Sequence, residues 1–256
     1  AAAANKARHG MNESIARLST GIRAMYGGDA AGHSVGTVHS AQSKGYAAAS
    51  RNVEDGISYL QAGESVLLEV ANMAQRMREL GIQADNAEIL STSNKQIAAM
   101  NAEAAILGDS VTQILDATKF NGVEVVGSAS ASEAAVNINY TGDNDTTFFV
   151  AGPATSIAST AGLATAADAT AAADTLLGSV ATALGMIAAD LTALKAFQGA
   201  ASATSANLAA AGARVMDTDY ATETASLTKN SILNQAALAM AAQANNAQSA
   251  ILSVLQ

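Results

Sequence analysis

Three histidines, His9, His33 and His39, and two acidic pairs, Glu54/Asp55 and Asp217/Asp219, are the side chains in this sequence best suited to acid-base or metal chemistry. Acid-base catalysis needs a carboxylate or imidazole beside a second group that exchanges the proton. None of these acidic pairs has a histidine next to it in sequence, and the chain has no cysteine. A metal site needs ligands at short spacings such as H-E-x-x-H, and the histidines show none. No glycine-rich loop matches a phosphate cradle. The chain has no cysteine, which removes thiol chemistry and disulfides. Asp217 and Asp219 stand just ahead of a helical pattern, where the helix dipole favours acidic side chains. The sequence therefore assigns no catalytic, metal or cofactor-binding residue and reads as a non-enzyme.

The elements that would carry such residues are helices. Of 256 residues, 50% are hydrophobic but only 4% are aromatic, with no tryptophan and a single proline, Pro153. Alanine dominates the apolar set. It favours helix but buries little area, so long helices packed closely on one another suit the chain better than a thick core. Thirteen basic residues against 22 acidic ones leave a net charge of −9, and the basic residues are scattered, which argues against nucleic acid as a partner. No uninterrupted apolar run reaches the roughly 18–20 residues of a membrane span, and no charged start leads into an apolar signal core.

From Asn52 to Thr118 small and apolar residues recur at steps of three and four. One seam runs Leu60, Gly63, Leu67, Val70, Ala74, Met77, Gly81, Ala84, and a second runs Ile97, Met100, Ala104, Leu107, Val111, Ile114. Such sustained spacing is the signature of helices packed along their length. The C-terminal half repeats it through Leu177, Val180, Leu184, Ile187, Leu191 and Leu194 toward Val215. One helix over 171–214 would be on the order of 65 Å long. After the break MDTDY, a last seam runs Leu233, Ala237, Met240, Ala244, Ala247, Ile251, Val254.

Within QRMRELGIQA (75–84), Met77, Gly81 and Ala84 fall on the first seam, while Arg76, Leu80 and Gln83 form a neighbouring stripe. That stripe reads either as the edge of an intramolecular core with a snorkelling arginine, or as a contact with another subunit. Two other stretches break the helical pattern. Residues 22–51, with four glycines in YGGDAAGHSVG, are expected to be irregular. Residues 121–170 are rich in Gly, Ser and Thr, and VNINY and TTFFV joined by TGDND read as a β-hairpin.

Six blocks carry a resemblance: ESIARLSTGIR (13–23), DAAG (29–32), SRNVEDGISYLQAGESVL (50–67), QRMRELGIQA (75–84), KFNGVEV (119–125) and ARVMDTDYATETASLTKNSILNQAALAMAAQAN (213–245). In this order they resemble bacterial flagellin, a short form with a minimal central variable region. The resemblance implies a mainly α fold, a long antiparallel helical bundle or coiled coil built from the N- and C-terminal segments, with a small β-hairpin excursion in the middle. Its expected divisions are an inner layer of paired termini (1–35 and 220–256), an outer helical layer (36–125 and 171–219) and a variable region (126–170).

It further implies a structural subunit that self-assembles into the helical flagellar filament used for motility. The chain would be extracellular and exported by the type III route without a cleaved signal peptide. The implied partners are further copies of the chain, the flagellar cap protein, the hook-filament junction protein, an export chaperone and a host Toll-like receptor. Flagellins usually begin about ten residues before the point matching Ala1, so an earlier start is expected. Leu233, Ala237, Met240, Ala244, Ala247, Ile251 and Val254 are the expected inner-layer subunit contacts. Gln75, Arg76, Leu80, Gln83 and Glu103 are the expected protofilament contact and receptor-recognition residues. Ser128, Ser130, Thr155 and Ser156 are candidates for O-linked glycans. The nearest alternative is the hook-filament junction protein. An extracellular adhesin or glycan-binding module is a more distant one, and it would need exposed aromatics among Tyr140, Phe148 and Phe149.

Overall fold

A computed structural model describes residues 2–23, 29–85, 95–126, 136–141, 147–150 and 166–255, with only the backbone of 149–150, 166–167 and 250–255. In chain order the elements are α1 (Ala2–Thr20), α2 (Ala30–Ala84), α3 (Lys95–Ala117), β1 (Lys119–Phe120), β2 (Val123–Glu124), β3 (Val136–Asn139), β4 (Thr147–Val150), α4 (Ala166–Met216) and α5 (Tyr220–Leu255). The fold is mainly α with small strand pairs in the middle, as the resemblance implies. The chain separates into two compact units, one made of 1–43 with 206–256 and the other of 44–205.

The unit at 44–205 holds the hydrophobic core. Every residue of the first seam from Leu60 to Ala84 is buried, and α4 answers it with Leu176, Val180, Ile187 and Leu194, all 2% exposed or less. By length and composition the helix Asp168–Met216 is apolar enough to cross a membrane, because alanine raises its mean hydropathy. Leu176, Val180, Ile187 and Leu194 are instead buried in this core, and Leu177, Leu184, Leu191 and Phe197 pack against it.

The VNINY/TTFFV hairpin forms with Val136 opposite Val150 and Asn139 opposite Thr147. Ile138 packs so closely on α2 that a Cβ added at Gly56 would stand 2.0 Å from its Cδ1. The aromatics of this hairpin are used in packing. Tyr140 stacks on Phe197 with centroids 4.2 Å apart, and Phe148 meets the same ring edge-on at 5.2 Å. The side chain of Phe149 lies outside the described residues.

A second hairpin, β1–β2, was not expected from the sequence as an element. Asn121 (φ 52°) and Gly122 (φ 82°) both take positive φ, the requirement of a two-residue hairpin turn that matches strand twist. The Asn-Gly pair was its sequence signal. Just beyond the turn, Tyr59 donates a hydrogen bond of 2.7 Å to the Glu124 carbonyl and meets Phe120 edge-on.

Burial pushes the Tyr59 hydroxyl from 10.0 up to about 12. A raised pKa means that folding favours the neutral phenol. The resulting stability is complete below pH 10 and is lost as pH rises through about 12. In an alkaline absorbance titration, one tyrosine should therefore ionise last, near pH 12. Tyr59→Phe should abolish that late step; a late step that survives the substitution would place it elsewhere.

The expected irregular stretch at 22–51 is corrected by the structure, in which α2 begins at Ala30. Asp29 is its N-cap, accepting a 2.8 Å bond from the Gly32 N–H and pairing with Arg23 at 3.1 Å. Glycine in a helix costs about 1 kcal/mol relative to alanine. At Gly36 close packing offsets this, because a Cβ there would lie 2.1 Å from the Met216 side chain. Gly36 is thus a place where helices touch, while Gly32 lies against the Asp29 cap; Gly27 and Gly28 lie outside the described residues.

In the unit made of 1–43 and 206–256, α1 and α5 run antiparallel. Arg17 faces the nearly buried Glu223 at 3.6 Å, and Gly10 faces Asn230. The two helix breaks are joined by backbone: Ile22 bridges Asp217, Thr218 N donates to Gly21 O at 2.9 Å, and Arg23 N donates to Met216 O at 2.7 Å. Asp219 caps α5, accepting from the backbone N–H groups of Ala221 and Thr222 at 2.9 and 3.2 Å and from the Thr222 hydroxyl at 2.9 Å. The Thr222 hydroxyl, then the two backbone donors, hold its carboxyl below the usual range.

Candidate subunit interface

Among the described residues, the buried hydrophobic side chains of the α1–α5 unit are Ala4 and Ala7. At about 0.8 kcal/mol per buried methylene-sized group, two methyls contribute on the order of 1–2 kcal/mol. Ordering each residue's backbone costs about 1–2 kcal/mol. The pair of helices thus carries almost no core of its own, while large apolar side chains stand on its surface.

Those side chains lie largely on α5. Leu233 is 49% exposed, Met240 71%, Ile232 60% and Leu238 57%. Of the expected contact residues, Ala237 is half-buried, and Ala244 and Ala247 are exposed. Ile251 and Val254 lie within the helix, but their side chains are outside the described residues. Every residue from 241 to 249 is exposed. Between the helices runs a groove of about 860 Å³, with Ala3, Lys6, Ala7 and Gly10 on one wall and Lys229, Asn230, Leu233, Ala237 and Met240 on the other. Ile232 and Leu238 were missed because the sequence search followed a single seam. Their exposure shows that the apolar surface of α5 is wider than that seam.

The second expected site lies at the far end of α2. Arg76 bonds Glu103 of α3 at 2.8 Å and Glu79 at 3.2 Å. Arg78 bonds Asp174 of α4 at 2.8 Å. Glu103 first, then Glu79, raises the Arg76 pKa further by hydrogen bonding. Gln75, Arg76, Gln83 and Glu103 are all exposed. Leu80 is not: it is 1% exposed and packs in a cluster with Met77, Ala84, Met100, Ala104 and Ala173. The sequence placed Leu80 on the stripe with Arg76. The structure moves it inside, because both α3 and α4 pack on α2 here and bury an arc wider than one seam. Ser128, Ser130, Thr155 and Ser156 lie outside the described residues.

No group of three or more acidic or histidine side chains that could hold a metal occurs among the described residues. The arrangement defines a class: a mainly helical protein in which α1 and α5 pair with each other and present an uncovered apolar seam. The model of the bacterial flagellin N-terminal helical region matches residues 1–129, and that of the C-terminal helical region matches 166–255. The chain belongs to the bacterial flagellin family.

It is 32% identical to the flagellin of Halalkalibacterium halodurans, over 95% of this chain and 91% of that one. It is 37% identical to flagellin 1 of Proteus mirabilis over 57% of this chain, and 33% identical to phase 1 flagellin of Salmonella naestved over 53%. The matched stretch covers 39% and 26% of those two longer proteins. A crystal structure of Bacillus cereus flagellin aligns with a TM-score of 0.41 at 22% identity, covering 62% of this chain and 88% of that one.

Proposed function

We propose that this chain is the structural subunit of a bacterial flagellar filament and polymerises with copies of itself outside the cell. The observation that carries this reading is the uncovered seam of α5, Leu233 and Met240 above all, on a helix pair with almost no core, in a chain of the flagellin family. Burying that seam against neighbouring copies supplies the apolar contact that the unit lacks. In this reading 1–35 and 220–256 form an inner layer, 36–125 and 171–219 an outer one, and 126–170 the variable excursion. Ala244 and Ala247 let helices approach closely.

The subunit would leave the cell by type III export. A chaperone, the cap protein and the hook-filament junction protein would be its partners on the way. The exposed Gln75, Arg76, Gln83 and Glu103, two of which are joined by the Arg76–Glu103 ion pair, are the candidate surface for protofilament contact and for a Toll-like receptor, with Leu80 buried beside them. Glycans on Ser128, Ser130, Thr155 and Ser156 would add mass to the native protein.

Polymerisation of the purified chain, followed by electron microscopy and far-ultraviolet circular dichroism, tests this reading. Long filaments should form, with a gain in helical signal as 1–20 and 233–256 become covered. Particles that cap hooks without growing would favour the junction protein instead. Filaments with no gain in helix would mean that these end segments are already fully helical in the free subunit.

A further inference from the structure

Met240 stands apart from the other methionines among the described residues. It is 71% exposed, whereas Met77 and Met100 are buried and Met11, Met73, Met186 and Met216 are half-buried. It sits in the α1–α5 groove with Ala3 and Ala237 on the nearest turns, and the exposed Lys6 beyond them. The polar lining at Lys229 and Asn230 lies about three turns away along α5. A thioether here is open to solvent in the free subunit, yet lines a groove whose other large apolar side chain is Leu233.

We propose that Met240 is an oxidation site through which hydroperoxides block assembly of the free subunit. This rests on the filament-subunit reading. The sulfur lone pair attacks the terminal hydroxyl oxygen of the peroxide, an S–O bond forms as the O–O bond breaks, and the departing hydroxide or alkoxide takes up the proton of the transferred oxygen and leaves as water or alcohol. Sulfur is oxidised by two electrons and the peroxide reduced by two. The product is a polar, chiral sulfoxide in place of a flexible apolar side chain. Its oxygen would enter an alanine-lined seam and lose hydration on assembly. In the filament the same sulfur is covered, so the free subunit is the vulnerable form.

The test treats purified monomer and preformed filaments with dilute hydrogen peroxide, follows the Met240 peptide by mass, and then measures the critical concentration for polymerisation. Met240 should gain one oxygen about tenfold faster in monomer than in filament, as exposure governs this chemistry. Oxidation should raise the critical concentration about tenfold, the effect of burying one poorly satisfied polar oxygen. Methionine sulfoxide reductase should reverse the rise, and Met240→Leu, close in volume, should show the same critical concentration with and without peroxide, whatever its own baseline. Equal oxidation in monomer and filament, or oxidised chain that polymerises like untreated chain, would overturn the proposal while leaving the subunit reading intact. An untreated parent chain that never polymerises would overturn both.

Discussion

Leu80→Ala should destabilise the 44–205 unit by about 2–5 kcal/mol, the range for truncating a buried leucine in a packed core. The side chain is 1% exposed and touches helices α3 and α4 through Met100, Ala104 and Ala173. Urea denaturation followed by circular dichroism measures the loss as a lower midpoint with an unchanged slope. Arg76→Ala is the control. It removes the Glu103 and Glu79 ion pairs at a half-exposed position, so the unfolding midpoint should barely move. The contrast matters for any binding experiment on this surface. A double Arg76→Ala, Leu80→Ala variant that lost receptor signalling would report unfolding as readily as a lost contact. Arg76→Ala alone, with folding verified, is the clean probe. A Leu80→Ala chain as stable as its parent would return Leu80 to the list of surface contacts.

Leu233→Asp should raise the critical concentration for filament growth about a hundredfold or more. Stranding an unpaired carboxylate in an apolar interface costs about 3–5 kcal/mol, and each 1.4 kcal/mol is tenfold in affinity. Leu233 is 49% exposed in the single chain, so the monomer should keep its helical signal and melting curve. Sedimentation of polymer against total concentration gives the readout. Growth at the parent's critical concentration would mean that this stretch of α5 faces solvent in the filament.

The long helices were legible because their signal is repetitive. Each seam residue from Leu60 to Ala84 recurs at helical spacing, and all are buried. Leu80 was harder to place. Periodicity locates the centre of a packed face, not its width, and the width depends on how many helices dock there. Gly36 was misleading in another way. A glycine that breaks a helix and one that admits a neighbouring side chain look the same in one dimension, and only the position of Met216 separates them. The Asn121-Gly122 turn was readable from two residues and was passed over because the strands beside it are two residues long. The α5 seam was found by its heptad spacing. That Leu233, Met240, Ala244 and Ala247 stay exposed within the chain is a statement about α1, which offers alanines in return.

The backbone bridge between the two helix breaks also has a consequence for timing. The Arg23 guanidinium bonds the Val215 carbonyl across 192 residues of sequence, and α1 likewise meets its partner only when α5 has been synthesised. Residues 44–205 form a continuous stretch with its own core and can fold while the rest is still being translated. Loop closure over such a distance adds only about 0.6 kcal/mol per doubling of length. The delay is therefore one of order of synthesis more than of energy, and it leaves the apolar face of a newborn α1 open to whatever reaches it before α5 does.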